Sequence, residues 1–404
     1  MKRILIIGGG ILGLSIARYI QRQGECQVTL LEAGNPGEGT TSQAAALLTR
    51  ARKRLDDCRM VDESHRMLRQ LQQQQGDEFA QLHGCMHIAV SAEQGALLCS
   101  FQRNARALGI EAAWKNAREV RERLPWLSIP DESLGVWFPD DGHADPYLFA
   151  QLYLQDARAA GVTVRSRSRV ADIQRADDRV TGVTLESGEQ IECDVLVLAA
   201  GPWSTVLADS LGVALGMAPV RSHYWISAAQ PNVQLDQPMA IYPAANAYFR
   251  PEGRGLLFGV RDSQICVADP NTLPDDIHAY AFENDPQGWS ALEENWEALI
   301  QGCPMLEQAE LSHYLSGVSS YTPDALPLIG WAQPYSNLML ATGCSGAGIA
   351  WSGGIGRLVS ELVHGLEPFV DPAPFDPARF PDADPMNPEF RIACAQSRMN
   401  KKTG

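Results

Sequence analysis

A chain of 404 residues is long enough for two domains, or for one sheet domain carrying a large insertion. With 45% hydrophobic and 20% charged residues it has the balance of a globular protein, which excludes a disordered one. A formal net charge of -15 repels phosphate backbones, so no nucleic-acid partner is expected, and no apolar run is long enough to cross a bilayer as a helix.

The chain opens with an apolar run at 4–7, too short for a signal peptide before three glycines interrupt it. The turn Gly8-Gly9-Gly10-Ile11-Leu12-Gly13 follows, then apolar residues at helical spacing over 14–20, then a second run at 28–31 ending in Glu32. This is strand, glycine turn, helix, strand and acid, a dinucleotide-binding unit. Gly8 permits the sharp turn, Gly10 lets backbone approach a pyrophosphate, and Gly13 lets helix and strand pack closely. The helix start offers N–H groups and positive dipole to phosphate, and Glu32 can accept from ribose hydroxyls. FAD and NAD both remain open at this point. Beyond Glu32, the turn at 33–39 leads into Thr40-Thr41-Ser42-Gln43-Ala44-Ala45-Ala46, small and hydroxylated residues suited to phosphate or ribitol oxygens or to capping a helix.

The basic cluster at 50–54 reads as a solvated helix or loop face. Helices are predicted over about 60–82, 91–108, 117–124 and 147–160, and a short strand and turn over 135–146. His83-Gly84-Cys85-Met86-His87 has ligand types at metal-like spacing, but nothing nearby completes a set, so no metal site is expected. Nine cysteines without a CxxC pair fit reduced thiols and a cytoplasmic protein. A meander of strands is predicted from 161 to 192, then a fully apolar strand at 194–200 ending in Gly201-Pro202-Trp203-Ser204, the kind buried on both faces of a parallel sheet. That second glycine-ended strand suits FAD laid across the sheet better than NAD alone. Antiparallel strands are expected at 220–227, 239–242, 247–251 and 256–260, with helical segments near 274–284 and 290–302. A last strand at 338–342, the loop Gly343-Cys344-Ser345-Gly346-Ala347-Gly348 and a helix from Ile349 to His364 close the pattern, and a proline-rich stretch at 367–380 is expected to drape over the surface. A helix start aimed at a reduced flavin stabilises its negative charge.

Taken together, the GGGILGLSIARYI opening, the acid in LLEAG, the TTSQAAAL run, DVLVLAAGPWS, and SSYTPDALPLIG followed by LATGCSGAGIAWSGGIG resemble the FAD-dependent D-amino-acid oxidase superfamily, which includes glycine oxidase, sarcosine oxidase and D-amino-acid dehydrogenase. The resemblance spans roughly residues 2–380. It implies an α/β fold with a discontinuous Rossmann-like FAD domain (1–80, 145–218 and 315–380), a mixed, largely antiparallel sheet-and-helix substrate domain (81–144 and 219–314), and a C-terminal tail (381–404). It implies oxidation of a C–N bond by hydride transfer to flavin N5, with imine hydrolysis afterwards. Carried over by position, Gly8, Gly10, Ile11, Leu12, Gly13, Glu32 and Ala33 hold the ADP half, and Thr40, Thr41, Ser42 and Ala45 meet the pyrophosphate or ribitol. A backbone group of Val170 meets the adenine, while Ala200, Gly201, Trp203 and the loop of Ser345, Gly346, Ala347, Gly348 and Ile349 face the flavin.

The departures concern substrate. Where glycine and D-amino-acid oxidases carry a carboxylate-clamping arginine, this chain has Ser319; where sarcosine oxidases carry a lysine in the last helix, it has Ala350. The position for a covalent flavin cysteine falls near Gly317, so FAD is expected to be non-covalent. A buried carboxylate needs a cation, which leaves two choices: Arg50, or Arg250 with Tyr248 on one strand face, supplies the clamp, or the substrate is not a simple small amino acid; the other reading of Arg250 is a surface salt bridge beside Glu252. The expected partners are a small amine or amino acid and O₂ or a quinone as acceptor, the latter placing the protein peripherally at the inner membrane; a homo-oligomer or hetero-complex is left open. The rival readings are a flavoprotein subunit acting on a partner-bound or bulky substrate, and an NAD-linked dehydrogenase.

Overall fold

The strands at 2–7 and 195–198 have no polar face: Ile4, Leu5, Ile6, Val195, Leu196 and Val197 are all buried, which requires a parallel sheet covered on both sides. In the computed structural model, which describes residues 1–75 and 79–399, they lie side by side at the centre of a six-stranded sheet. Its order is Leu328–Trp331, Leu338–Thr342, Val195–Leu198, Lys2–Ile7, Cys26–Leu31 and Thr163–Arg165, and only the first of these runs antiparallel to its neighbour. Thr163–Arg165, expected in the meander, pairs in parallel with Thr29 to Leu31 instead. The meander proper is Val170–Ala176, Arg179–Leu185 and Gln190–Glu192.

Helices Ile11–Gln23, Leu55–Gln75, Pro146–Ala159 and Gly348–His364 share one core on one face of the sheet, and the meander packs on the other. Two glycines set the helix spacing. A Cβ on Gly13 would lie 1.9 Å from the Gly8 carbonyl oxygen, and one on Gly356 would lie 2.3 Å from Ser15 Oγ. The close helix–strand contact read from Gly13 is therefore required by the backbone itself.

A second, eight-stranded sheet takes its strands from 85–138 and 218–321. Its long strands Ala218–Ser227 and Leu311–Tyr321 pair from end to end, so the boundary expected at 314/315 falls inside a continuous strand. The boundary at 80/81 likewise splits Ala80–Gln81, part of a small ribbon with Leu47–Leu48 and Gly142–Ala144.

Three local expectations are corrected. The helix predicted over 60–82 spans Leu55–Gln75; residues 76–78 lie outside the described residues, and Ala80–Gln81 is a strand. The segment 274–284 holds only one 3-10 turn, Ile277–Ala279, because Asp276 caps the His278 N–H and the segment is fastened across a cavity rim rather than coiled. The cluster at 50–54 is not a solvated face, since Arg50 and Arg52 are both buried. The C-terminal stretch is also fastened: Phe375 is fully buried edge-on to Trp351, and Arg379 pairs with Asp324 at 2.8 Å. Residues 388–399 form the helix Pro388–Met399 against the second sheet, while 400–404 of the expected tail lie outside the described residues.

Candidate active site

The carboxyl ends of the parallel strands open into a continuous cavity of about 980 Å³ that runs from Glu32 to the second sheet. At one end Gly8 has φ +111 and donates to the Leu31 carbonyl at 2.9 Å; a Cβ there would lie 2.4 Å from the Ala199 oxygen. Only glycine fits. Gly10 caps the helix that follows, and Thr41 Oγ1 accepts from the Ile11 N–H at 3.1 Å, which seats the 40s run on the phosphate-type turn. Glu32 spans two backbone donors, Gly9 N and Gly34 N, each at 2.7 Å, so its carboxylate is fixed at the strand tip. Val170, Ser168 and Arg169 line the wall beyond it.

At mid-length the loop 343–348 turns through Gly343, Ser345 and Gly346, all at positive φ, and delivers Gly348, Ile349 and Ala350 to the cavity as the first turn of the last helix. The preceding Thr-Pro-Asp turn staples this loop. Thr322 Oγ1 donates to Asp324 Oδ1 at 2.9 Å and lies 3.2 Å from Ser345 Oγ, and Ser345 N donates to the Ser320 carbonyl at 2.8 Å. Tyr321 packs its hydroxyl over Gly346, where a Cβ would come within 2.3 Å of it. Three polar side-chain atoms on the cavity wall are buried without a partner: Thr40 Oγ1, Gln43 Oε1 and Ser320 Oγ. Buried polar groups are normally satisfied, so these atoms mark where a polar ligand belongs. Orphaned oxygens, a glycine cradle that a Cβ would fill, and two helix starts fit an elongated phosphate-bearing cofactor.

The residues expected to hold a cofactor are distributed as follows. Gly8, Gly10, Ile11, Leu12, Glu32, Ala33, Thr40, Thr41, Ala45, Val170, Ala200, Gly201, Trp203, Gly346, Ala347, Gly348 and Ile349 line the cavity. Gly13, Ser42 and Ser345 do not line it. Gly13 serves packing, Ser42 turns back to the Glu38 and Gly39 carbonyls, and Ser345 is the staple described above.

The sequence profile described as FAD dependent oxidoreductase matches residues 3–362. The chain belongs to this family. It is 27% identical over 387 residues to mitochondrial dimethylglycine dehydrogenase of Rattus norvegicus, covering 93% of this chain and 44% of that protein. It is 28% identical over 387 residues to 4-methylaminobutanoate oxidase (formaldehyde-forming) of Paenarthrobacter nicotinovorans, covering 94% and 45%. The chain thus spans less than half the length of these relatives. Among solved structures, L-proline dehydrogenase from P. horikoshii superposes with a TM-score of 0.80 at 21% identity, covering 94% of this chain and 98% of that one. Glycine oxidase from Geobacillus kaustophilus gives 0.75 at 23%, covering 94% and 99%. The α/β fold of this FAD-dependent oxidoreductase is the one these solved structures share. No described helix is long and apolar enough to cross a membrane.

The far end of the cavity departs from expectation. Arg50 does not reach it: its Nε donates to Asp141 Oδ1 at 2.7 Å and its backbone N to Oδ2 at 2.9 Å, with Asp62 and Asp140 nearby. Arg250 does not line it either. Its Nε donates to the Ala45 carbonyl at 3.0 Å and its Nη1 to Glu252. Arg50 is turned to Asp141 and Arg250 to Ala45 and Glu252, and neither lines the cavity, so neither is placed as a carboxylate clamp. Tyr248 does line the cavity, opposite Gly259 in register, where a Cβ would sit 2.3 Å from the tyrosine hydroxyl. Two residues along, Arg261 also lines the cavity, and it is electrostatically coupled to Tyr248, Tyr321 and Arg398. Burial lowers Arg261 to about 10, so it stays a cation at neutral pH. Burial pushes the Tyr248 hydroxyl well up, which keeps it a donor, and brings His223 down to about 4, which keeps that imidazole neutral. Arg261 was legible only through its neighbour: the glycine that admits Tyr248, followed by strand alternation, places position 261 on the same face.

Proposed function

We propose that this chain oxidises the C–N bond of an amine carrying a carboxylate, an amino acid or an N-methylated amino acid, with FAD held non-covalently. The observation that carries the reading is Arg261 beside Tyr248 on the cavity wall, a cation and a neutral donor that both line it. Bound FAD would supply the two-electron acceptor for the hydride leaving the carbon next to nitrogen, and water would hydrolyse the resulting imine.

The chain's own residues orient and exclude. Arg261 takes the carboxylate through charge-assisted hydrogen bonds, Tyr248 adds a neutral donor, and Tyr321 and the 343–348 loop fix the amine end relative to the cofactor. Gly8, Gly10 and Thr40 hold the phosphates, Glu32 the ribose, Val170 the adenine, and the loop through Ile349 the flavin. Gly317, at the place of a covalent cysteine, offers no side chain, which supports a non-covalent cofactor.

The test is anaerobic bleaching of the flavin absorbance with glycine, sarcosine, dimethylglycine, D- and L-amino acids, proline and amines lacking a carboxylate. Bleaching by carboxylate-bearing amines alone is expected, and re-admission of air separates an oxidase from a dehydrogenase that passes electrons to a quinone. Bleaching by the bare amines alone would overturn the reading. A second reading is a flavoprotein subunit of a complex. It draws support from the 25% identity to the mitochondrial pyruvate dehydrogenase phosphatase regulatory subunit of Mus musculus, over 90% of this chain and 41% of that one. That reading expects bound FAD that no free amine bleaches.

A further inference from the structure

The residue after Arg261 is a fully buried carboxylate. Asp262 accepts four hydrogen bonds: Oδ2 from His223 Nε2 at 2.9 Å and Arg398 Nη1 at 2.8 Å, Oδ1 from Gln264 N at 3.0 Å and Arg221 Nη2 at 3.4 Å. Arg221 is shared with Asp285, whose carbonyl and carboxylate it also meets. His223, neutral, donates from Nε2 and accepts at Nδ1 from Tyr314 at 3.1 Å, so it brings no charge. The full cation closest to Asp262 is Arg398. It arrives from the helix Pro388–Met399, past residue 362 where the family match ends, and its second amino group donates to the Val260 carbonyl at 3.0 Å. Arg398 is buried and lines the cavity, and Cys394 and Ala395 of the same helix pack with Ala218, Val220 and Tyr321.

An unbalanced carboxylate in this place would draw on the charge of the neighbouring Arg261 across a low-dielectric gap. Arg398 offsets it, and its bond to Val260 fixes the backbone one residue before Arg261. We infer that Arg398 is a positioning residue of the substrate site, and that the C-terminal helix is built into that site to keep Arg261 directed at the substrate's carboxylate. This rests on the reading of Arg261 as the carboxylate holder.

The test uses full-length, FAD-loaded protein titrated with acetate and benzoate, acetamide serving as the uncharged control, and follows the flavin absorbance. Arg398→Met is expected to retain FAD and bind both carboxylates at least about tenfold more weakly, with KM raised more than kcat is lowered for any amine that bleaches the flavin. Arg398→Lys should restore part of the affinity. The double variant R398M/D262N should restore most of it, because it removes both charges, a rescue that a merely structural helix would not give. If Arg398→Met does not hold FAD, Asp262→Asn decides alone: it should bind acetate at least as tightly as the unaltered protein, and weaker binding overturns the inference. Unchanged binding in Arg398→Met, or no recovery in the double variant, overturns it too. If Arg261→Met loses carboxylate binding while Arg398→Met does not, only the role of the helix fails. If neither carboxylate perturbs the flavin of the unaltered protein, the reading of the site and this inference fall together.

Discussion

Arg50 offers the sharpest separation between a residue that holds the fold and one that holds substrate. It is 3% exposed, and Asp141, its partner, is 0% exposed. Replacing Arg50 with Met leaves a dry carboxylate with one backbone donor at 2.9 Å and no adjacent guanidinium from position 50. Breaking a buried pair from one side costs about 3–5 kcal/mol, whereas removing both charges costs far less. Against a total stability of roughly 5–15 kcal/mol, that loss is large. Urea unfolding of the FAD-loaded protein should therefore show Arg50→Met destabilised by about 3–5 kcal/mol, and R50M/D141N recovering at least half of it. In the same samples KM for the amine should stay within roughly twofold, since Arg50 does not line the cavity. A folded Arg50→Met of ordinary stability with KM raised tenfold would refute the argument and return Arg50 to the substrate site.

Gly8→Ala forces a non-glycine residue to φ +111 with its Cβ 2.4 Å from the Ala199 oxygen; purified protein should fold but carry less than about a tenth of the unaltered FAD content, read by absorbance, as strain of at least 1–2 kcal/mol adds to a steric clash. Tyr248→Phe should keep FAD and raise KM roughly tenfold, the effect of losing one hydrogen bond to a charged group at about 1.5 kcal/mol, in steady-state kinetics. For pH, burial brings His87 and His143 down to about 3 and His223 to about 4. Each takes up a proton on unfolding below about pH 6.5, so stability is complete above that pH and falls as pH drops toward 4, by about 1.4 kcal/mol per unit for each imidazole. Asp57, raised to about 6 by burial, acts in the opposite sense between pH 6 and 4. Urea midpoints should thus fall on acidification across this window, and His87→Leu should flatten the slope by about one proton.

What the sequence disclosed and what it hid divide along the distance between partners. The opening turn was legible because its constraints are local: Gly8 needs positive φ, and Gly13 needs to clear an oxygen five residues back. The 343–348 loop was legible for the same reason, although Ser345 faces the Thr322 staple and not the cavity. Arg261, the proposed carboxylate holder, was legible only indirectly, through Gly259 opposite Tyr248. Strand alternation rightly paired Tyr248 with Arg250 on one strand, but parity does not say where a long side chain spends its donors, and Arg250 spends them on Ala45 and Glu252. Arg398 is 136 residues from Asp262, and no periodicity in either segment announces that pair. Arg50 and Arg52 looked like a solvated cluster because five consecutive positions hold four cations. The carboxylate that draws Arg50 inward, Asp141, is 91 residues away on a strand turn.

The bond from Arg250 to the Ala45 carbonyl bears on why positions 44–46 are alanines. Its start is tied to the cofactor end, where Thr41 Oγ1 accepts from the first helix, and its end to the second sheet, where Arg250 Nε reaches the Ala45 carbonyl. Between them Gln43 Nε2 donates to the Ile277 carbonyl at 3.3 Å, on the segment that crosses the cavity rim, and a Cβ on Gly317 would crowd the Gln43 oxygen at 3.0 Å. A stretch of a few residues thus touches the phosphate-type turn, the rim and the second sheet while lining the cavity. Large side chains at 44–46 would fill the cavity that these residues line, and buried polar ones would each need a hydrogen-bond partner. The alanines leave backbone as the lining, so the distance between the two ends of the site is set by covalent geometry and three hydrogen bonds. Arg250, a candidate clamp in the sequence, is in this arrangement the strut that ties the second sheet to the run at 40–46.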